Sequence, residues 1–494
     1  MIRLFKIKFT ALLICAALVS PPLPAAAQRS SKSAADERIR RIENGLLAEY
    51  VVRGRPAAAM NLLERMKHYK VPGLSIAVID DYRIAWAKGY GLMDAEKTRP
   101  VTTGTLFQAG SISKPVTAVG AMKLVETGRL ALDENVNDRL VSWKVPENEF
   151  TKDRKVTVRG LLTHSAGITV RGFDGYAPYA LRPTLAQILD GEKPANSAPL
   201  RVAAVPGKRN DYSGGGFTIL QQLMIDVAKT DFPQLMNRIV LAPLGMKRSF
   251  FGVSLPAKFR DAAAAGHRPD GAAVAGKWHA YPELAAAGLW TTPSDLARFV
   301  IEIQKSRNGA SNRILAAKSV DEMLTPQFPE VGLGFGLKGA PRPFRFGHNG
   351  STEGFYCLML GYFENGRGAV VMTNSDNGAE LVMEIMRAVA KEYGWNDLRP
   401  TEILGALDQK IIDSYVGAYD SGSGFRLFVT TENGKLYANP PGGSRQELIP
   451  ETETTFLIRM GGNPRVEFVR DAAGKAREIV FRRGGGENRL KKVE

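Results

Sequence analysis

A serine and a lysine stand three residues apart in the segment 107–118, at Ser111 and Lys114. The segment runs from apolar, strand-like residues through Gly110 into the first turn of a predicted helix. Residues three apart share one face of a helix, so the hydroxyl and the amine can meet. A serine hydroxyl is a poor nucleophile until a neighbour takes its proton. Lys114 can do so if its pKa is lowered, or it can instead hold another base in its anionic form.

Two further residues could complete such a site. Tyr212 lies on a Gly-rich turn before an apolar helix and is a candidate for the other base, although a packed aromatic is the alternative. His348 lies in the segment 348–351, which we expect to connect a strand at 344–347 with another at 354–363. Its Gly350 would let a ligand approach the backbone closely. His348 could then donate to a substrate carboxylate or assist proton transfer, or be a loop histidine without a role.

The motifs occur in an order that resembles a known superfamily. Ser111-x-x-Lys114, then Tyr212-Ser213-Gly214, then His348-Asn349-Gly350, with Leu-Leu-Thr-His-Ser-Ala-Gly at 161–167, are similar to the motifs of serine β-lactamases and penicillin-binding proteins. The resemblance covers residues 60–392. It is strongest to class C β-lactamases, D-alanyl-D-alanine carboxypeptidases, D-aminopeptidases and related esterases.

The resemblance implies a role for each motif. Ser111 would attack a carbonyl, with Lys114 and Tyr212 managing its proton. The backbone amides of Ser111 and Ser351 would form the oxyanion hole, where the loss of one donor costs about 3 kcal/mol of barrier. His348, with its neighbours Asn349 and Gly350, would line the substrate pocket. His164, in the motif at 161–167, is expected to be structural.

Two departures from the superfamily pattern bear on the substrate. Gly214 replaces an Asn whose amide commonly contacts the acyl side chain, and His348 stands where most β-lactamases have Lys. We therefore expect a small ester, or a D-amino-acid amide or peptide, as the substrate. The alternatives are a D-alanyl-D-alanine carboxypeptidase or class C-like β-lactamase. A protein of another class, a penicillin-binding sensor or partner-binding protein with little turnover, also stays open.

Composition excludes several other functions. The formal net charge of +16 comes from scattered basic residues without aromatic interleaving, so no nucleic-acid partner is predicted. The five histidines lack metal-ligand spacing, and neither a metal nor another cofactor is expected. Candidate partners are a small ester, amide or peptide and the peptidoglycan of the cell wall. The oligomeric state is left open.

The N-terminus predicts export. Residues 1–27 combine early basic residues, an apolar run at 9–19 and a small-residue cleavage site after Ala27, which is typical of a signal peptide. The run is shorter than the ~20 residues of a spanning helix, so no transmembrane span is expected in the mature chain. The location would be periplasmic or extracellular. Cys357 would then be the only thiol left, without an intrachain disulfide, and its apolar surroundings predict burial.

The order of apolar periodicities predicts an α+β fold. Strands before residue 107 and after residue 332 flank a long, mostly helical stretch, and the resemblance implies a β-lactamase/transpeptidase-like antiparallel sheet with a helical domain. Short alternating runs at 425–429, 435–438, 456–459, 466–469 and 478–481 predict a small C-terminal antiparallel β-barrel-like domain. The predicted division is a signal peptide at 1–27, a leader helix region at 28–59, the hydrolase domain at 60–394, a linker at 395–409 and the barrel at 410–494.

Overall fold

The computed structural model describes residues 25–96, 98–339, 342–458, 464–483 and 486–493. In chain order its helices are α1 Ala25–Glu43, α2 Leu62–His68, α3 Ser113–Glu126, α4 Val158–Leu162, α5 Leu185–Asp190, α6 Gly214–Ala228, α7 Phe232–Met236, α8 Leu284–Ala287, α9 Pro293–Arg307, α10 Ala317–Leu324, α11 Gly378–Glu392 and α12 Gln409–Tyr415. Short 3₁₀ turns, one of them at Gly110–Ile112, lie between these helices.

Among the described residues the strands form four sheets. They are β1 Tyr50–Val52, β2 Gly73–Asp80, β3 Arg83–Gly91, β4 Phe107–Gln108, β5 Phe250–Phe251, β6 Leu289–Thr291, β7 Gly336–Lys338, β8 Arg345–Thr352, β9 Phe355–Tyr362, β10 Gly368–Thr373, β11 Thr401–Ile403, β12 Gly417–Asp420, β13 Arg426–Glu432, β14 Lys435–Asn439, β15 Gln446–Pro450, β16 Thr455–Ile458, β17 Arg465–Arg470, β18 Ala476–Arg483 and β19 Gly486–Lys492.

The main sheet is antiparallel and has six strands in the order β3-β2-β10-β9-β8-β7. Its strands come from both ends of the hydrolase region, which confirms the predicted α+β unit. Helix α9 packs on one face, and α11 covers the other with α1 against it. Each face therefore has its own buried apolar cluster, as expected when both faces of a sheet carry helices.

Helix α3 lies inside the larger of these clusters. Almost all of its side chains are buried, including the polar Ser113, Lys114 and Thr117. A surface helix would show one apolar stripe with charges opposite. A helix enclosed on all sides can instead hold a lysine amine in a dry environment, which is the first requirement of the proposed chemistry.

The structure corrects the sequence prediction for the segment 348–351. It is not a connection between two strands, because β8 runs without a break from Arg345 to Thr352 and pairs with β9 over its whole length. The pairing of β8 with β7 covers only Arg345 to Gly347. The polar composition of this segment, with its single glycine Gly350, indicated a connection in the sequence. In the structure, Gly350 is needed because the carbonyl of Ala109 approaches it too closely for a Cβ.

The predicted leader and linker regions meet in the structure. Strand β1 pairs in parallel with β11, which lies inside the predicted linker 395–409, and α12 begins at the last residue of that linker. The amide of Thr401 donates to the carbonyl of Glu49, and the amide of Arg53 donates to the carbonyl of Ile403. The linker is therefore partly ordered by a two-stranded sheet. Each strand of this sheet has only three residues, which is too short to give a recognisable pattern in the sequence.

The C-terminal unit is a closed antiparallel barrel of eight strands, β12 to β19, which confirms the barrel-like prediction. Its core is a separate apolar cluster in which Tyr415 stacks on Phe468 with ring centroids 4.0 Å apart. Five of the strands were predicted, whereas β12, β15 and β19 were not. These three are short or contain Gly or Pro, residues that weaken a strand signal.

Most of the predicted signal peptide, residues 1–24, lies outside the described residues, and its last three residues begin α1. In the part of the chain that is described, no helix is long and apolar enough to cross a membrane. Cys357 is a free, buried thiol on β9, as its apolar surroundings predicted, and burial raises its pKa.

Candidate active site

Ser111 lies in the 3₁₀ turn Gly110–Ile112, which runs directly into α3. Gly110 has a φ of +50°, a conformation that favours glycine. The turn is held on its other side by Ser113, whose Oγ accepts a hydrogen bond of 3.0 Å from the amide of Leu289. The side chain of Ser111 stays half-exposed while its neighbours are buried. A substrate can therefore reach the hydroxyl of a residue with a fixed backbone.

Lys114 supplies an amine next to this hydroxyl. Its Nζ lies 2.9 Å from Ser111 Oγ and donates a hydrogen bond of 2.9 Å to the carbonyl of Ala286. The residue is 3% exposed, and desolvation lowers the pKa of the amine to about 7. No acidic side chain pairs with it among the described residues. A large fraction of Lys114 is therefore neutral near pH 7 and has a lone pair for the serine proton.

Tyr212, which lies just before helix α6, contacts the same oxygen. Its hydroxyl donates a hydrogen bond of 2.9 Å to Ser111 Oγ. Burial raises the pKa of this phenol to about 12, although the contact with Ser111 and the Arg171 guanidinium, 5.6 Å from the ring centre, act in the opposite direction. Of the two roles left open by the sequence, the pKa values favour Lys114 as the base and Tyr212 as a proton donor.

His164 acts as a support for Tyr212. Its Nδ1 accepts a hydrogen bond of 3.1 Å from the amide of Ser213, and its ring lies 4.3 Å from the ring of Tyr212, centroid to centroid. Desolvation lowers the pKa of His164 to about 3, so the imidazole stays neutral. This position agrees with the structural role expected for the motif at 161–167.

The backbone of β8 closes the site on the other side. A Cβ on Gly350 would lie 1.9 Å from the carbonyl oxygen of Ala109 and 3.1 Å from the amide nitrogen of Ser111. A Cβ on Gly110 would lie 2.7 Å from both the backbone nitrogen and the backbone oxygen of Ser351. The two glycines thus allow the backbone of Ser351 to lie beside Ser111. This proximity is necessary for the predicted oxyanion hole, in which the two amides must donate to one oxygen.

His348 lies at the edge of the site, with its ring centre 6.2 Å from that of Tyr212. Desolvation, with a smaller effect from Lys114, lowers the pKa of the half-buried imidazole to about 4. A neutral His348 can donate or accept a hydrogen bond but cannot form an ion pair with a substrate carboxylate. A cavity of about 250 Å³ adjoins it, lined among others by Leu162, Asn210, Tyr212, Phe335, His348 and the exposed Asn349.

Gly214 is not at the pocket surface, which corrects its predicted place there. It is the first residue of α6, it is buried, and its amide donates a hydrogen bond of 3.0 Å to the carbonyl of Arg171. A Cβ on Gly214 would lie 3.1 Å from the ring of Phe173 and 3.2 Å from that carbonyl. The loop that carries Arg171 and Phe173 therefore occupies the space into which a side chain at this position would extend.

Two residues near the site were missed by sequence reasoning. The carbonyl of Ala286 accepts from Lys114, and the run of small residues at 285–288 was the only sign of such a close approach. Glu283, the residue before α8, is fully buried, and neither of its carboxyl oxygens has a hydrogen-bond partner among the described residues. Desolvation raises the pKa of Glu283 to about 7. Nothing in its sequence context predicts that burial.

Comparison with known proteins supplies an independent view of the chain. The sequence profile of the Beta-lactamase family matches residues 59–392. Penicillin-binding protein 4* of Bacillus subtilis (strain 168) is 23% identical over 403 residues, which cover 76% of this chain and 85% of that protein. Esterase EstB of Burkholderia gladioli is 26% identical over 204 residues, 40% of this chain and 51% of its own length.

A solved structure is similar in fold. The octameric penicillin-binding protein homologue from Pyrococcus abyssi superposes with a TM-score of 0.59 at 24% sequence identity, covering 87% of this chain and 98% of that one. Its extent shows that the sheet, the helical part and at least part of the C-terminal unit share a common architecture with this chain.

Proposed function

The chain belongs to the β-lactamase family, and we propose that this serine hydrolase cleaves an ester, a D-amino-acid amide or a peptide through an acyl-enzyme on Ser111. One observation carries the proposal. Ser111 Oγ lies 2.9 Å from both Lys114 Nζ and the Tyr212 hydroxyl, in a site where the amine has a pKa of about 7. A nucleophile in contact with a base and an acid is the arrangement that acyl transfer needs.

In acylation, the neutral amine of Lys114 takes the proton of Ser111 as Oγ forms a bond to the substrate carbonyl carbon. One hydrogen of the amine stays directed at the carbonyl of Ala286, so the amine keeps its orientation as it becomes an ammonium. The carbonyl oxygen gains negative charge and is stabilised by the amides of Ser111 and Ser351. The tetrahedral intermediate then expels the alcohol or amine.

Tyr212 gives its proton to that leaving group, and the ammonium of Lys114 restores it. The ammonium position lies 5.0 Å from the centre of the Tyr212 ring, so the phenolate forms beside a positive charge. Lys114 is neutral again after this transfer, and a proton from its ammonium has replaced the one that Tyr212 gave to the leaving group. Water then hydrolyses the acyl-serine and frees the acid.

The substrate class rests on what surrounds this centre. A neutral His348 offers a hydrogen bond rather than a positive charge, and the place of the missing Asn side chain is filled by the loop at Arg171 and Phe173. Both features reduce the contacts expected for an acidic β-lactam. The similarity to a protein named an esterase supports an ester as the first substrate to test.

A second candidate function is penicillin binding with slow turnover. It is supported by the similarity to penicillin-binding protein 4*, and by the buried Gly214, which leaves no amide side chain at that position to hold an acyl group for deacylation. Such a protein would be acylated at Ser111 by the same chemistry and would release the product slowly.

The proposed location is the periplasm or the extracellular space. The proposal rests on the signal-like residues 1–27 alone. Fractionation of a host that expresses the full chain, with mass analysis of its N-terminus, tests it. We expect an exported protein that begins at Gln28, and a cytoplasmic protein that keeps Met1 would contradict the proposal.

A substrate panel on the purified protein tests the function. It contains p-nitrophenyl esters, D-amino-acid anilides, a chromogenic cephalosporin and a fluorescent penicillin. It is run beside Ser111→Ala and a control, Ser423→Ala, at an exposed serine between two strands of the C-terminal barrel. We expect turnover of an ester or anilide that Ser111→Ala abolishes and Ser423→Ala retains. Turnover that survives in Ser111→Ala would exclude Ser111 as the nucleophile.

The panel also separates the candidates from one another. Stoichiometric labelling by the penicillin without turnover of esters or anilides would favour the penicillin-binding function. Rapid opening of the cephalosporin would identify a β-lactamase and would contradict the substrate class derived from His348 and Gly214.

A further inference from the structure

Two large apolar side chains stand out from the surface on one loop. Tyr179 is 83% exposed and Leu181 is 80% exposed, more than any other large hydrophobic residue in the described part of the chain. Single exposed apolar residues are ordinary on soluble proteins, but two on one loop tip define a candidate contact surface. The residues on either side of the pair, Pro178 and Arg182, line a cavity of about 380 Å³.

Three cations line the cavity next to this pair. Arg260 and Lys277 line the same cavity as Arg182, and neither forms an ion pair with any described residue. Arg182 donates a hydrogen bond of 3.1 Å to Ser254 Oγ and also lacks an acidic partner among the described residues. We name Tyr179, Leu181, Arg182, Arg260 and Lys277 the Tyr179 patch.

One acidic residue also lines this cavity, and it is paired with a cation outside the patch. Asp261 lines the cavity, but its carboxylate lies 3.4 Å from the guanidinium of Arg99. The positive charge of the patch is therefore available to an external anion.

The base of the patch is held firmly. Tyr176 and Ala280 exchange two backbone hydrogen bonds of 2.8 Å, which fix the loop to the segment that carries Lys277. Trp278 packs edge to face on Trp290 of β6, with ring centroids 5.3 Å apart, and β6 pairs with β4 just before Ser111. The apolar pair and the cations are thus presented together by a fixed scaffold.

We propose that the Tyr179 patch docks on an anionic phospholipid surface. Tyr179 and Leu181 enter the boundary between headgroups and acyl chains, and Arg182, Arg260 and Lys277 meet the phosphates. A lipid surface accepts a few apolar side chains together with unpaired cations. A stable protein partner would need to bury on the order of 1,200 Å² or more, which two side chains do not supply.

Docking would orient the active site. Tyr179, Leu181 and Arg182 lie on the segment between α4 and α5, which also carries Arg171, whose guanidinium lies over the ring of Tyr212. The docking does not depend on which substrate Ser111 hydrolyses.

Vesicle flotation of the full chain tests the proposal. The probes are vesicles of phosphatidylcholine alone and vesicles that also contain phosphatidylglycerol, each at low and high salt. The variants are Tyr179→Ser with Leu181→Ser, and Arg260→Gln with Lys277→Gln. The matched controls are Val141→Ser, which removes an exposed apolar side chain, and Arg313→Gln with Lys318→Gln, which removes two exposed cations elsewhere.

We expect binding to the anionic vesicles that weakens at high salt, because salt screens exposed charges. Each patch variant should lose about tenfold or more in partitioning, since one Lys or Arg near an anionic surface contributes about fivefold. Both controls should bind like the parent protein, and all variants should keep its unfolding temperature.

Three results would overturn the proposal. They are no binding of the parent protein to anionic vesicles, equal binding to neutral vesicles, and a loss in Arg313→Gln with Lys318→Gln as large as in the patch variants. The last result would mean that diffuse positive charge, rather than this patch, attracts the lipid.

Discussion

Two buried ionisable side chains flank the short helix α8, and they differ in their partners. Lys114 and Glu283 both have a pKa of about 7, and in both cases desolvation is the main cause. Lys114 has two partners, the hydroxyl of Ser111 and the carbonyl of Ala286. The carboxyl of Glu283 has no hydrogen-bond partner among the described residues.

Burial sets the pKa of both side chains, whereas hydrogen-bond geometry decides whether the side chain can take part in a reaction. Burial lowers the pKa of an amine and raises the pKa of a carboxyl, and here it brings both pKa values into the neutral range. Of the two side chains, only Lys114 has a reactive hydroxyl within hydrogen-bond distance. Only Lys114 can therefore transfer a proton in the reaction. At Glu283 the same desolvation acts on stability instead.

Loss of the base should give the largest effect. Replacement of Lys114 by Met removes the amine, and we expect kcat/KM to fall by about 10³-fold, as for loss of a general base. Lys114→Arg is the matched variant, because it keeps a cation that does not deprotonate in proteins. Both should be similarly inactive in a steady-state ester assay. An active Lys114→Arg would mean that charge, not proton transfer, is what Lys114 supplies.

The pH profile distinguishes Lys114 from Tyr212 as the base. The neutral amine is the active form, so kcat/KM of the parent protein should rise with pH and level off above about 7. Tyr212→Phe should lower the rate by about 10²-fold and keep the same rising limb. In the parent protein the phenol of Tyr212 has a pKa of about 12, so it does not produce a limb near pH 7. Disappearance of that limb in Tyr212→Phe would assign the titration to the tyrosine.

A smaller loss of activity is expected from Gly350→Ala, which changes strand β8 beside the predicted oxyanion hole. The new Cβ would lie 1.9 Å from the carbonyl of Ala109, so β8 must move away from Ser111. We expect about a tenfold loss in kcat and a destabilisation of about 1–3 kcal/mol. Gly216→Ala is the control, since its Cβ would lie 3.6 Å or more from the atoms around it. A Gly350→Ala protein with normal kcat and stability would contradict the close approach of β8.

Glu283→Gln should change stability and not chemistry. In the folded chain the pKa of Glu283 is raised to about 7 from 4.5, so the protonated form is favoured by folding. Its contribution to the free energy of unfolding is complete below pH 4.5 and is lost as the pH rises through about 7, about 3 kcal/mol in all. Denaturant unfolding at a series of pH values should therefore show a fall in this range that Glu283→Gln lacks.

The control for that measurement is Glu302→Gln. Glu302 is also buried, but one of its oxygens accepts hydrogen bonds from Ser306, Ser311 and Arg313. Its replacement should destabilise the fold, because an amide oxygen accepts these three hydrogen bonds more weakly than a carboxylate oxygen does. A large fall in kcat/KM in Glu283→Gln would show that this carboxyl belongs to the reaction after all.

The sequence predicted local features better than distant contacts. The contact between Ser111 and Lys114 was predicted because the two residues are three apart in the chain. Tyr212 lies 101 residues from Ser111. No local pattern joins these two, and their pairing came from the resemblance of the motif order to a superfamily.

Features that depend on packing were not predictable from single segments. The segment 348–351 has the composition of a turn, yet it is strand because β9 pairs with it and because the 3₁₀ turn at Ser111 lies against Gly350. Gly214 was placed in the pocket because of its position in the second motif, and the loop that covers it lies more than 40 residues earlier in the chain, where no local pattern reveals the contact. Glu283 was missed because a charged residue is normally exposed.

The most direct test of the account is to trap the acyl-enzyme and locate it. The protein is mixed with a p-nitrophenyl ester, quenched in acid and examined by intact mass and peptide mapping. We predict one acyl group, carried by the peptide that contains Ser111, and none in Ser111→Ala. An acyl group on another residue, or turnover by a protein in which Ser111 cannot be acylated, would contradict the central claim.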